Sequence, residues 1–279
     1  MSAKRRFTVS DFFLHLVVLI GFVVSVYPIY WMFVSSTQDN EQIFGQSTYL
    51  GFGHSLGANF HDLMVNSGIN IFRAVGNSLE ISIIATLIAV LLATLAGYAF
   101  AIYRFRGSKA MFNIFLISLM IPPQVTMIPL FILMSKFHLI NTMWAVILPA
   151  LVTVFGVFLM RQSFMTFPVE LLDAARIDGL GEGRIFLRIV LPLMRPILSS
   201  LGILTFLASW TNLLWPLIVL DDASKYTIPV ALSTLMSTQT SPNYGMIMLG
   251  ASIATIPMLV IFLLLRKQFV SGIMSGFYR

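Results

Sequence analysis

Long apolar runs separated by short polar segments set the pattern of this chain. Five runs carry no Asp, Glu, Lys or Arg: Phe12–Val34, Met111–Met134, Thr142–Met160, Ile197–Leu220 and Tyr244–Leu265. A sixth, Gly76–Ile102, carries only Glu80, within about a turn of its start. A bilayer-crossing helix needs about 20 predominantly apolar residues. The pattern therefore predicts an all-α membrane protein with six transmembrane helices and both termini on one side. The first run has no small-residue cleavage site at Val26–Tyr27–Pro28, which argues against a removable signal peptide. Ser35–Val75, with Gly45, Gly51, Gly53 and Gly57, reads as an irregular loop holding one short helix near Asn59–Val65.

The polar segments give the orientation. Lys4, Arg5 and Arg6 precede the first span, and Arg104, Arg106 and Lys109 fill the second connection. Arg161, Arg176, Arg184, Arg188 and Arg195 lie in the fourth, and Arg266, Lys267 and Arg279 follow the last span. These are 14 of the 17 basic residues; Arg73, Lys136 and Lys225 occupy the other three loops. Basic residues favour cytoplasmic loops, so both termini are expected in the cytoplasm. Of the 279 residues, 58% are hydrophobic and 10% charged. A soluble domain carries about 25% charged residues. The net charge of +6 then marks topology rather than a nucleic-acid partner.

The chemistry missing from the spans narrows the function. Ion-coupled transporters place ionisable residues inside the bilayer, whereas the centres of these runs have none. Glu80 either snorkels to the interface or serves a solute path. His15, His54, His61 and His138 fall at helix ends or in outer loops without metal-ligand spacing, and there is no cysteine. No catalytic pair, metal site or Walker-type GxxxxGK[ST] motif is present. Any energy for transport must come from another chain. Pro28, Pro122, Pro123, Pro129, Pro149, Pro216 and Pro257 lie in the runs, either as bends or, around Pro122–Pro129, as shapers of a path.

The fourth connection, Arg161–Pro196, reads as a helix, a glycine turn and a second helix. Pro168 suits a helix start, and Glu170 and Asp173 suit its dipole. Gly179 suits a left-handed stop. The second helix is expected from Glu182 to Val190, ending at Pro192, with Ile185, Phe186, Ile189 and Val190 opposite Arg184 and Arg188. Ala174 and Ala175 would let another surface approach closely. On physics alone this is either an interfacial amphipathic hairpin or a docking loop.

Asp173–Ala174–Ala175, Gly179 three residues on, and Ile189–Val190–Leu191–Pro192 nine further resemble the EAA loop of ABC importer permeases, EAA-x3-G-x9-I-x-L-P. Asp173 stands for the usual Glu and keeps the charge. The stretches RAVGNSL from Arg73, YRFRG from Tyr103, LMIPPQVTMIPLF from Leu119, ILPALVTVFGVFLMRQSF from Ile147 and WTNLLWPLIVL from Trp210 are similar to the carbohydrate-uptake branch. Thr211 stands where Asn is common, and the tail SGIMSGFYR differs from the usual glycine-rich ending.

The resemblance implies a type I ABC importer permease (MetI-like) architecture in the cell's inner membrane. It divides the chain into a cytoplasmic tail (1–11), a first helix (12–34), an extracytoplasmic loop (35–75), a five-helix core (72–266) with its coupling loop at 161–196, and a C-terminal tail (267–279). It further implies a second permease subunit, two copies of an ABC ATPase subunit, and an extracytoplasmic solute-binding protein, with membrane lipid around the spans. ATP would be bound and hydrolysed by the separate ATPase, so no cofactor is expected here. Glu170, Asp173, Ala174, Ala175, Asp178 and Gly179 become the ATPase-docking residues. No substrate residue is assigned: Trp210 and Trp215 either stack on sugar rings or pack. The competing reading is a membrane scaffold whose cytoplasmic hairpin recruits a partner without transport.

Overall fold

The computed structural model of the chain describes residues 9–45, 50–237 and 242–274, with side chains between residues 11 and 264. Lys4, Arg5, Arg6 and residues 275–279 of the expected C-terminal tail, Arg279 among them, lie outside the described residues, as do the side chains of Arg266 and Lys267. In chain order the helices are α1 (Val9–Ser35), α2 (Asn40–Phe44), α3 (Leu56–His61), α4 (Ile71–Ile102), α5 (Ser108–Ile117), α6 (Pro123–Lys136), α7 (Met143–Ala150) and α8 (Val154–Phe164). They continue with α9 (Val169–Ile177), α10 (Glu182–Ile185), α11 (Leu191–Leu193), α12 (Arg195–Trp210), α13 (Leu214–Val219), α14 (Ile228–Ser237) and α15 (Tyr244–Met274).

Four segments are long and apolar enough to cross a membrane: Asp11–Ser35, Ile71–Ile102, Met143–Phe164 and Tyr244–Leu264. Counting each of two bent pairs as one span brings the number to six: Ser108–Met120 with Pro123–Lys136 at 101°, and Glu182–Leu193 with Arg195–Trp210 at 78°. The third expected span is thus broken rather than continuous. A residue before proline is driven out of the helical region. Ile121 and Pro122 each precede one, and both are extended, with ψ of 116° and 131°. The fifth expected span, Ile197–Leu220, also breaks: α12 ends at Trp210, and α13 resumes at Leu214 with Pro216 in its first turn. The second span starts at Ile71 rather than Gly76, because Asn70 caps the Arg73 amide. Glu80 therefore lies more than two turns into the helix, exposed.

The chain forms two compact units. The first comprises residues 1–69 and 232–257. In it α1 exposes Phe12, Phe13, Val17 and many other apolar side chains. The segment after α1 is more ordered than an irregular loop: α2 is closed by a capping box between Asp39 and Gln42, and α3 continues as a π-helical turn over Asp62–Asn66. Ser35, Ser36, Thr37 and Gln38 are buried although polar. A helix leaves its last carbonyls without partners, and here Asn59 supplies two donors. Its Nδ2 donates to the Ser36 carbonyl at 3.0 Å and the Gln38 carbonyl at 2.9 Å. Thr37 Oγ1 accepts the Gly53 amide at 2.7 Å.

The second unit comprises residues 70–231 and 258–279. Its centre is α4, whose inward face is a ladder of small residues: Ala74, Ser78, Ser82, Ala85, Ala89, Ala93 and Gly97. Small side chains let helices approach where lipid offers no hydrophobic drive. A Cβ at Gly97 would stand 2.6 Å from Met160 Cβ, and one at Gly156 would stand 3.2 Å from Ala93 Cβ. Helices α7, α8 and α12 pack on this ladder. Trp215 joins α13 to α7 by donating its indole N–H to the Ala145 carbonyl at 2.8 Å.

Candidate functional site

Helix α9 presents two faces. Leu172 and Ala175 are buried, while Glu170, Asp173, Ala174 and Ile177 are exposed, Ile177 at 87%. Of the two alanines expected to admit a partner, only Ala174 faces outward. Ala175 instead packs inward with Ile185, Phe186 and Val190. The expected turn is present. Gly179 has φ of +81°. Its amide donates to the Arg176 carbonyl at 3.0 Å, and the Leu180 amide donates to the Ala175 carbonyl at 3.0 Å. These paired bonds form a Schellman motif, and Leu180 packs on the core behind it.

The second helix buries Ile185, Phe186 and Val190 and exposes Arg184 and Arg188. It does not stop at Pro192 but continues to Leu193 through a π-helical turn at Phe186–Val190. In an α-helix the Pro192 ring would strike the Arg188 carbonyl, and the wider turn makes room. Behind both helices Tyr98 meets Phe164 and Phe186, each with ring centroids 5.3 Å apart. The loop thereby rests on the ends of α4 and α8.

An ionic chain ties the hairpin together. Arg176 Nη1 donates to Asp173 at 2.9 Å and Arg176 Nε to Glu182 Oε1 at 2.7 Å. Tyr103, just past α4, donates its hydroxyl to Glu182 Oε2 at 2.7 Å. The Glu182 carboxyl is held below its ordinary range, first by Arg176 and then by Tyr103. The Arg176 guanidinium is held above its range, first by Glu182. The Tyr103 hydroxyl is pushed up to about 12, chiefly by its bond to Glu182. No site role for Tyr103, Arg176 or Glu182 follows from the sequence. Arg176 three residues beyond Asp173 was a legible pair; the bridge across Gly179 and the reach to Tyr103 needed the fold.

A second feature lies where helix breaks meet. Val146, Ala150, Thr153, Phe155, Thr205 and Ser209 are among the residues lining a cleft of about 410 Å³. An adjoining cleft of about 280 Å³ reaches Pro123, Thr126 and Trp215, and Asn212 lines both. Neither lining contains a charged residue or histidine. Thr205 and Ser209, four residues apart, share one face of α12, and Asn212 follows in the break between α12 and α13. Trp210 is buried and stacked on Phe206, with centroids 5.8 Å apart. The exposed ring in the cleft is Phe155.

The chain matches the family model described as binding-protein-dependent transport system inner membrane component over residues 89–274. It belongs to that family. This permease is 35% identical to the lactose transport system permease protein LacG of Rhizobium radiobacter over 277 residues, covering 99% of each chain. It is 38% identical to the arabinooligosaccharides transport system permease protein AraQ of Halalkalibacterium halodurans over 255 residues, covering 91% of each. The sn-glycerol-3-phosphate transport system permease protein UgpE of Agrobacterium fabrum is 31% identical over 267 residues, covering 94% of this chain and 95% of its own. Among solved structures, a chain of a bacterial ABC transporter involved in the import of the acidic polysaccharide alginate superposes with a TM-score of 0.80 at 19% identity. That match covers 95% of the permease and 100% of the other chain, so the two share a fold. The permease is an inner-membrane component of a transport system.

Proposed function

We propose that this permease is one of two membrane subunits of an ATP-driven importer for a neutral sugar or oligosaccharide. The observation that carries the reading is identity of 35% with a lactose permease over 99% of both chains. The uncharged clefts favour a neutral hydroxyl-rich solute over a phosphate ester, because a phosphate would call for cationic partners. A solute-binding protein delivers the solute on the extracytoplasmic side, and a second permease completes the path. Two ATPase copies bind and hydrolyse ATP in the cytoplasm, and this chain carries no catalytic residue. Both termini face the cytoplasm, as the basic residues of alternate loops require. Glu170, Asp173, Ala174 and Asp178 contact the ATPase, Gly179 turns the chain, and Ala175 seats the docking helix on its own core. Closure of the ATPase dimer moves α9, and α4 and α8 carry the motion to the spans.

The test is a pull-down of the tagged chain in mild detergent, with mass spectrometry of what remains bound. A second six-span chain and an ATPase are expected. A chain that returns alone, under conditions that preserve a known importer, would replace the reading with a membrane scaffold.

A further inference from the structure

The connection between α4 and α5 holds a feature that the transport reading does not use. Arg104, Arg106, Lys109 and Arg161 line one cavity of about 860 Å³, and no carboxylate lines it. Among the described residues none of these four cations is ion-paired; the pairs found belong to Arg176. The neighbouring acid, Glu182, is already matched by Arg176. Arg161 is held in place, with Nε donating to the Phe100 carbonyl at 3.4 Å and its guanidinium 4.1 Å from the centre of the Phe112 ring. Gly107, with φ of +83°, precedes helix α5, and no side chain caps the helix's first amides. Those amides add positive potential at the same place.

The cavity continues into an apolar strip. Met111, Ile114 and Ile117 are 55%, 68% and 60% exposed and lie on one face of α5, while Phe112 is buried. A free phosphate would satisfy the cations and leave this strip uncovered. A ligand matched to both parts is an anion with a hydrocarbon tail. Basic pockets beside membrane helices suit lipid headgroups. A basic residue acting only as a topology anchor needs neither a cavity nor a fixed guanidinium.

We propose that Arg104, Arg106, Lys109 and Arg161 form the headgroup site of an anionic phospholipid whose acyl chain lies along Met111, Ile114 and Ile117. The proposal stands independently of the transported solute. It is tested on the full chain, with any subunits that copurify, using photoactivatable phosphatidylglycerol and phosphatidylcholine of identical chain length. Mass spectrometry should place phosphatidylglycerol crosslinks on residues 104–117 at least about fivefold above phosphatidylcholine, the preference expected from one cation near a headgroup. Millimolar inorganic phosphate should leave them in place. The double substitution R106Q/K109Q should erase the preference and keep the phosphatidylcholine background. Equal labelling by the two lipids, or labelling spread evenly over the spans, would overturn the proposal. Displacement by inorganic phosphate would also overturn it and indicate a free-anion site. Should the variant fail to insert, the crosslink map of the unaltered chain decides alone.

Discussion

A methyl group added at Gly245 would collide with the Gln38 carbonyl and with Asn59, the side chain that closes the end of α1. Glycine is required there for close approach, not for an unusual φ. Gly245→Ala should therefore cost about 1–3 kcal/mol, the ordinary range for overpacking a filled interior. Gly57→Ala, with nothing within 4 Å of the new atom, is the control. Thermal melts in detergent should separate the two, and superimposable curves would count against the account of Asn59. Gly179 is the opposite case. Open space surrounds it, but its φ of +81° penalises any β-branched side chain. Gly179→Val should cost about 1–3 kcal/mol locally and lower ATP-driven transport while the chain still inserts. Gly179→Asn should retain more transport, since Asn tolerates this conformation. Equal transport in both variants would sink the assignment of the turn. Both glycines are plain letters in the sequence. Spacing exposed the role of Gly179; only the fold exposed that of Gly245.

The hairpin of α9 and α10 rests on a buried core and carries an exposed ionic chain across its turn. Glu182 has a lowered pKa in the folded chain, so its contribution is present above the ordinary carboxylate value of about 4.3 and is lost as pH falls through the lowered value. Tyr103 has a raised one, so its contribution is present below about 10 and is lost as pH rises through about 12. Between those limits the link from hairpin to α4 holds. The chain has no cysteine, so a spin label at Ala174→Cys reports this segment cleanly. Its mobility should stay flat between pH ~5 and ~9 and increase in Glu182→Gln. Unchanged mobility in that variant would mean that packing alone holds the hairpin. The amphipathic pattern of both helices, with Leu172, Ile185 and Val190 inward, was legible because period 3.6 survives in the sequence. Which of two adjacent alanines faces out was not legible, since it depends on where the neighbouring core lies. Nor was the survival of the second helix past Pro192. Local propensity predicts a stop there, and a π-helical turn removes the clash.

At the scale of the molecule the six apolar runs of the permease carry one charged residue, Glu80. Ion-coupled transporters place ionisable residues inside the bilayer, so on the proposed importer reading uptake by the assembled system in vesicles should require ATP and its binding protein. It should persist after ionophores collapse the ion gradients. Uptake that stops with the gradient and continues without ATP would overturn the importer reading. Hydrophobic run length, charge placement and the spacing from Asp173 to Pro192 are one-dimensional properties. They pointed to six apolar segments, of which four are unbroken helices and two are bent pairs, and to the family that the family model then showed. The breaks were only half visible: consecutive prolines announce the bend at Pro122. The stop after Trp210 has no local signal of that strength. Burial of Ala175, the bridge from Arg176 over Gly179 to Glu182 and Tyr103, and the cavity joining Arg161 to Arg104 each join residues distant in sequence. No periodicity records such a meeting. The sequence by itself therefore determined which segments are apolar enough to enter the membrane and which loop carries the EAA-like spacing. The tertiary structure decided which side chains of that loop are free to meet a partner, because burial is a property of neighbours that only folding brings together.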